Sequence, residues 1–345
     1  ALAKKIENNL GKDRVSIIRI NEKYCTVEMQ IDKFPIDIAS ARKESYPSPG
    51  KNPNITLSTL SEDLGRRDFT INSMALDLST STLIDLYNSK HDISSRQLEF
   101  IHSKSVEEDP TRIVRGARYA GRLNFNITTK SLEQIKSTIK KWPWDLAKEN
   151  GGKKIPPALG TRLKMELELL FKERSYNKAI KHLQDWGALA LLDQELQNDQ
   201  NWEQRLDFAL GLDISPLTAF IAKSPNSTSL AKRLQLPQKD QNILAASLDF
   251  QNYLLEIYKS KKYSEWKPSR WCQAIENESW HPDVVAIVIC LQHPLWKPCL
   301  EWLRYWRRID SPLSAKELIK QGWIPGPLLK EELQRLRFQK LDRLY

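Results

Sequence analysis

Two short stretches hold the residues whose types and spacing could do chemistry. Arg66-Arg67-Asp68-Phe69-Thr70-Ile71-Asn72 crowds two guanidiniums, a carboxylate and a carboxamide together, just before a run through Met74, Ala75 and Leu76 that can anchor them on a core element. Some forty residues later, Glu107-Glu108-Asp109-Pro110-Thr111 opens a segment in which Arg112, Arg115, Arg118 and Arg122 recur at three- and four-residue spacing. On a helix that spacing puts four positive charges on one face beside an acidic start. Such a surface suits a polyanion.

The acidic start could also read a base. A carboxylate accepts hydrogen bonds and a guanidinium only donates them. Cytosine and adenine both present an amino donor beside a ring-nitrogen acceptor, so Asp109 and Arg112, three residues apart, could meet either. Guanine and uracil present a carbonyl beside an N–H, which the same pair would meet acceptor to acceptor and donor to donor. The pattern therefore predicts a pocket that takes CTP and ATP and refuses GTP and UTP by leaving buried polar groups unpaired.

Periodicity predicts the elements that must position these groups. Residues 1–10 read as a helix, and Val15 to Ile20 and Cys25 to Ile31 alternate as strands do, followed by a third strand over Pro35 to Ala39. The segment from Arg42 to Glu62, with its Pro49-Gly50 turn, reads as a charged, mobile loop at a sheet edge. From Glu107 onward the chain reads as helices. Glu108 and Asp109 stand at a helix start and Pro110 in its first turn, so a plain helix cap is the competing reading of Asp109. Lys153-Lys154 and Pro156-Pro157 mark a connection, after which Arg162 and Glu166 lie four apart on a helix, a spacing that mainly stiffens it. Beyond about residue 175 come helical pairs with no fixed repeat.

Composition sets outer bounds. The 345 residues suffice for two or more domains, and the net charge of +10 favours a polyanionic partner such as RNA. The longest apolar run, Val284 to Leu291, is about half of a membrane span, and the first residues do not read as a signal peptide. Four scattered cysteines, in no metal-binding spacing, read as reduced thiols of a cytoplasmic protein. Most of the eleven tryptophans read as packing.

The two opening motifs resemble those of the class II tRNA nucleotidyltransferases (CCA-adding enzymes) and their poly(A) polymerase relatives. That family's signatures include Arg-Arg-Asp-x-x-x-Asn, here Arg66, Arg67, Asp68 and Asn72, and Glu-Asp-x-x-Arg, here Glu108, Asp109 and Arg112. The resemblance covers nearly the whole chain, most strongly residues 35–170. It implies an α+β protein: a nucleotidyltransferase head with a small mixed sheet over 1–101, a helical neck with the nucleotide pocket over 102–175, a helical body over 176–285 and a tRNA-docking tail over 286–345. The implied reaction is attack of a tRNA 3′-hydroxyl on the α-phosphate of CTP or ATP, releasing pyrophosphate. By resemblance Arg67 and Asp68 contact the ribose, Asn72 helps place the triphosphate, Arg115 and Arg118 hold phosphates, and Arg162 and Glu166 support the pocket. The basic cast of the tail comes from Lys316, Lys320, Lys330, Arg335, Arg337, Lys340 and Arg343. The alternatives are a poly(A) polymerase and a non-catalytic RNA-binding relative.

The chain also departs from the family. The Asp-x-Asp pair that holds two magnesium ions is absent, which is expected of a chain truncated at its N-terminus or of a degenerate relative. Asp37 is then the one metal candidate in the head, and alone it does not hold a two-metal site. The family's Gly-Gly turn after the residue corresponding to Asp85 is replaced by Asn88-Ser89, both turn-tolerant, which puts a hinge role in doubt. The loop from Arg42 to Glu62 is associated in the family with the switch from adding C to adding A, and leans toward a CCA-adding or A-adding enzyme.

Overall fold

The structure, a computed structural model, describes residues 2–141, 156–276 and 280–344. Lys153 and Lys154 lie outside the described residues. The chain divides into two compact units, residues 1–188 and 189–345. The first is mixed and the second is helical throughout, so the α+β expectation holds.

The first unit begins with helix α1 (Leu2–Leu10) laid on an antiparallel meander of β1 (Val15–Asn21), β2 (Thr26–Ile31) and β3 (Phe34–Ala39). Alternation decides which face is covered: Val15, Met29 and Ala3 are buried, with Ile6, Ile17, Val27, Ile31 and Ile38 packed around them. Next comes a finding against the sequence expectation. The segment from Arg42 to Glu62 is not a free loop but an antiparallel hairpin, β4 (Arg42–Ser45) with β5 (Asn54–Leu57), leading into α2 (Leu60–Gly65). Its polar strand reads as loop by composition, yet its charges are satisfied by ion pairs to α2 and to the residue that ends it: Lys43 with Glu62 and Glu44 with Arg66.

Thr70–Asn72 forms a single 3-10 turn before the hairpin β6 (Met74–Asp77) and β7 (Thr82–Asp85). Asp85 then accepts the backbone N–H groups of Tyr87, Ser89 and Lys90. Asn88 takes the left-handed conformation at φ 62° in front of α3 (Ser89–Ser94), a position glycine ordinarily fills. A two-residue parallel pairing of β8 (Gln97–Leu98) with β9 (Asn126–Ile127) brackets α4 (Ser105–Glu108) and α5 (Thr111–Leu123). Helix α6 (Thr129–Lys141) follows, and then α7 (Thr161–Lys172) and α8 (Tyr176–Asp185), both of which pack on α5.

Helix α5 is the post on which the site is hung. Ile113, Val114, Ala117 and Ala120 are buried on its inner face and Arg112 is buried with them, while Arg115 and Arg118 are partly covered and Arg122 is exposed. Gly116 lets it approach Phe69: a Cβ there would stand 2.9 Å from the ring.

In the second unit, the apolar run read from sequence is helix Pro282–Cys290, buried from Val284 onward and packed against Trp202–Gly211, Gln238–Ser260 and Trp296–Arg304. A helix apolar all round is a core helix. Among the described residues no helix is long and apolar enough to cross a membrane. Trp202, Trp271, Trp302 and Trp306 are buried here, as expected of packing residues. The final helix, Pro327–Leu344, is pinned by Arg337, whose guanidinium forks onto Glu276 at 2.6 and 2.8 Å, and by Asp342, which accepts from Ser269.

Candidate functional site

The two motifs meet in one place. A cavity of about 690 Å3 in the first unit is lined by Arg66, Arg67, Asp68 and Asn72 from the first motif and by Asp109 and Arg112 from the second. Thr111, Arg115 and Tyr119 continue the α5 wall, and α7 adds Arg162, Met165 and Glu166. Tyr24 and the β4–β5 hairpin close the rest with Glu44, Tyr46, Asn52 and Pro53. The volume suits a ligand of nucleotide size.

Local chain geometry fixes each group. Asp68 Oδ1 accepts the N–H of Phe69 (3.0 Å) and the Asn72 amide (2.9 Å), and Oδ2 accepts Arg115 Nε (2.7 Å). Burial alone would raise the Asp68 carboxyl, but Arg115, the Asn72 amide and Arg112 outweigh it and hold the group below the usual carboxylate range. Arg115 also donates to Glu166 (3.0 Å). Burial disfavours its charge, yet Asp68 and Glu166 more than compensate and raise its pKa.

Asp109 serves two neighbours. Oδ1 accepts the N–H and hydroxyl of Thr111, the first residue of α5, and Oδ2 pairs with Arg162 at 3.0 Å. Arg162 also reaches the carbonyls of Gly50 and Lys51 at the hairpin tip. Arg112 is 5% exposed and donates only to neutral groups, Ser105 Oγ (2.9 Å) and the Arg66 carbonyl (3.0 Å). No carboxylate among the described residues stands within ion-pair distance of it, although it faces the cavity.

Arg162 and Glu166 do not act as the stiffening pair their spacing suggests. Arg162 holds Asp109, and Glu166 holds Arg115 and Arg118, so each ties α7 to α5. Arg118 is absent from the cavity lining and is enclosed by Glu166 (2.7 Å) and Glu173 (3.2 Å). Glu108 also faces elsewhere. Its carboxylate lies 3.4 Å from His102 Nε2 and its backbone carbonyl accepts Gly50 N–H. Burial, Arg112 and Lys104 push His102 down to about 4, so that ring is neutral at pH 7. The cavity cations with open faces are Arg67 and Arg115, whose side chains are 40% and 35% exposed.

Asp37 is exposed on β3, directly across from Glu28 of β2, and away from the cavity lining. Among the described residues no three His, Cys, Asp or Glu side chains gather where they could hold a metal ion. A hard divalent cation wants several oxygen ligands, so the residues present do not fit a magnesium site. Three of the cysteines, Cys272, Cys290 and Cys299, are buried, and burial pushes each thiol up to about 12, which leaves them unreactive.

Tyr24, Tyr119 and Met165 lie outside the motifs that the sequence singles out, and Tyr46 belongs to the Arg42–Glu62 segment without a role of its own there. Tyr119 was within reach, since it follows Arg115 by one helical turn and shares its face. Tyr24 and Tyr46 join the lining only through the folding of the hairpin.

Residues 1–99 match the poly A polymerase head domain. An A-adding tRNA nucleotidyltransferase of Aquifex aeolicus is 24% identical over 345 residues, 93% of this chain and 39% of that protein. A CC-adding tRNA nucleotidyltransferase of Deinococcus radiodurans is 32% identical over 223 residues, 61% of this chain and 54% of that protein. The chain thus spans about two fifths to one half of these curated relatives. Among solved structures, a CCA-adding enzyme in an apo form superposes with a TM-score of 0.73 at 21% identity, covering 99% of this chain and 80% of that one, a likeness of fold.

Proposed function

We propose that this chain, which belongs to the class II tRNA nucleotidyltransferase family, selects CTP and ATP in the 690 Å3 cavity for transfer of CMP, AMP or both to the 3′ end of tRNA. The observation that carries the reading is Arg112, a buried guanidinium with no carboxylate within ion-pair distance among the described residues, which lines a cavity of nucleotide size beside Asp109. Burying a charge is costly unless it is paired. A base edge supplies the acceptor that the protein does not.

In this reading Asp109 and Arg112 read the base, Arg67 and Asp68 face the sugar, and Asn72 and Arg115 lie toward the phosphates. Arg118 acts one step back by holding Glu166, while Glu108 and Arg66 brace the walls through Gly50 and Glu44. The division into head (1–101), neck (102–175), body (176–285) and tail (286–345) is part of the proposal. So is tRNA docking on the last helices, where Lys316, Lys320, Lys330 and Arg343 are exposed. Arg335, Arg337 and Lys340 already hold Glu332, Glu276 and the Asp310 carbonyl.

Magnesium is the cation proposed for the reaction, as in phosphoryl transfer generally. Asp37 with Glu28 offers two carboxylates at most, so the chemistry assigned to these residues is binding, selection and orientation.

The test is equilibrium binding of labelled CTP, ATP, GTP and UTP, followed by incorporation into tRNAs ending before CCA, after one C and after both. Preference for CTP and ATP supports the reading, and the tRNA that is extended distinguishes CC-, A- and CCA-adding. Equal binding of all four nucleotides sinks it, and extension of an oligo(A) primer in place of tRNA moves it to poly(A) polymerase.

A further inference from the structure

One lining residue outside both motifs has a defined hydrogen-bonding polarity. Tyr46 directly follows β4, is half-buried, and donates its hydroxyl to Glu44 Oε2 at 3.2 Å. The other oxygen of Glu44 accepts Arg42 Nε and Nη2 (3.2 and 3.0 Å) and Arg66 Nη1 (2.9 Å). These contacts hold the Glu44 side chain, 9% exposed, in one orientation. An ionised carboxylate only accepts, so the phenolic proton must point at Glu44.

What remains on Tyr46 Oη is its lone pairs. Burial drives the phenol well above its ordinary value, Arg112 opposes this, and Glu44 and Asp109 reinforce it, so the hydroxyl stays neutral. Those same interactions place it within electrostatic reach of both proposed base readers. Tyr46, Asp109 and Arg112 also line one cavity. Toward a base in that cavity, a hydroxyl whose proton is engaged by Glu44 acts as an acceptor. The amino groups of cytosine and adenine donate to an acceptor, whereas the carbonyls of uracil and guanine meet it lone pair to lone pair.

We propose that Tyr46 is a specificity-determining residue, whose Oη accepts the exocyclic amino group of the incoming CTP or ATP, with Glu44 as the positioning residue that fixes the direction of its proton. The inference rests on the cavity being the nucleotide site. It adds a third reader, from the hairpin, to the two on the helical side, and makes the Arg42–Glu44–Arg66 network part of base choice.

Equilibrium dialysis of labelled CTP, UTP and the 4-deamino analogue of CTP against the full chain and Tyr46→Phe tests it. The substitution keeps the ring and removes only the oxygen, and thermal melting checks that the fold is retained. A lost neutral hydrogen bond corresponds to a loss of roughly two- to tenfold. The expected result is that size of loss in CTP affinity, a fall at least as large in the CTP to UTP ratio, and no change for the 4-deamino analogue, which has no amino group to offer. The coupling between ligand and side chain isolates the contact. An unchanged CTP to UTP ratio in Tyr46→Phe, or an equal loss for the analogue, overturns the role of Tyr46 while leaving the pocket reading in place. A wild-type chain that does not prefer CTP over UTP removes the pocket reading and Tyr46 with it.

Discussion

Two arginines of this chain are buried almost equally and serve opposite ends. Arg205, in the helical unit, is 3% exposed and paired with Asp199, whose side chain is equally buried. Arg112, in the first unit, is 5% exposed and bonded only to a hydroxyl and a carbonyl. The helical unit answers the Arg205 charge with a carboxylate of its own, Asp199. The first unit leaves its buried charge half-answered and turns it toward a cavity. Burial alone therefore does not distinguish a structural arginine from a binding one; the partner set does.

The comparison breaks most readily at Arg205. Arg205→Ala removes the ion-pair partner of the buried Asp199 carboxylate, and a loss of about 3–5 kcal/mol is expected in denaturant unfolding, with CTP affinity of the folded fraction unchanged. Arg112→Ala should behave the other way round. Hydrogen bonds to charged groups are worth about 1.5–3 kcal/mol, so CTP and ATP affinities should fall roughly 10- to 100-fold in dialysis. Its melting temperature should move little. If Arg112→Ala instead unfolds the chain and the folded remainder binds CTP normally, the two arginines are alike and the distinction fails.

A third prediction sharpens the role of α5. In Gly116→Ala the new methyl would press on Phe69 at 2.9 Å, and overpacking of this kind costs about 1–3 kcal/mol. Thermal melting measures it, and nucleotide affinity should fall as Arg115 is pulled from Asp68. Acid titration gives a fourth. The Asp68 carboxyl is held below its ordinary 3.8 in the fold, so its contribution to stability is complete above about pH 4 and is lost as pH falls through the lowered value. Asp68→Asn should flatten the stability curve below pH 4 and leave its slope at pH 6–8 unchanged. The smallest effect belongs to the tail: Lys316→Ala or Lys330→Ala should each reduce the salt slope of tRNA binding by about one.

Much of this was legible because the relevant signals are local. The strands β1 to β3 follow from alternation, and the four arginines of α5 from their spacing. The start of α5 is visible at Pro110, where the helix begins with Thr111 and Asp109 Oδ1 accepts the Thr111 N–H. The hairpin β4–β5 was not legible, because Arg42-Lys43-Glu44-Ser45 has the composition of a loop and its strand character comes from ion pairs to residues about twenty positions away. For the same reason Arg162 and Glu166 read as a pair of their own, when their partners lie on another helix. Short-range rules see neighbours within a turn, and the cavity is assembled from residues that are far apart in sequence.

The hairpin tip has one more consequence. Gly50 donates its N–H to the Glu108 carbonyl, its own carbonyl accepts Ala158 N–H, and Arg162 bonds that same carbonyl while holding Asp109. The amides of Gly50 and Ala158 are thus tied into one small network with the base-reading carboxylate. Hydrogen–deuterium exchange at these two amides should rise and fall together, and loss of the Arg162 side chain should speed both. The tip is then a built-in gauge of how firmly Asp109 is held, readable without any nucleotide present.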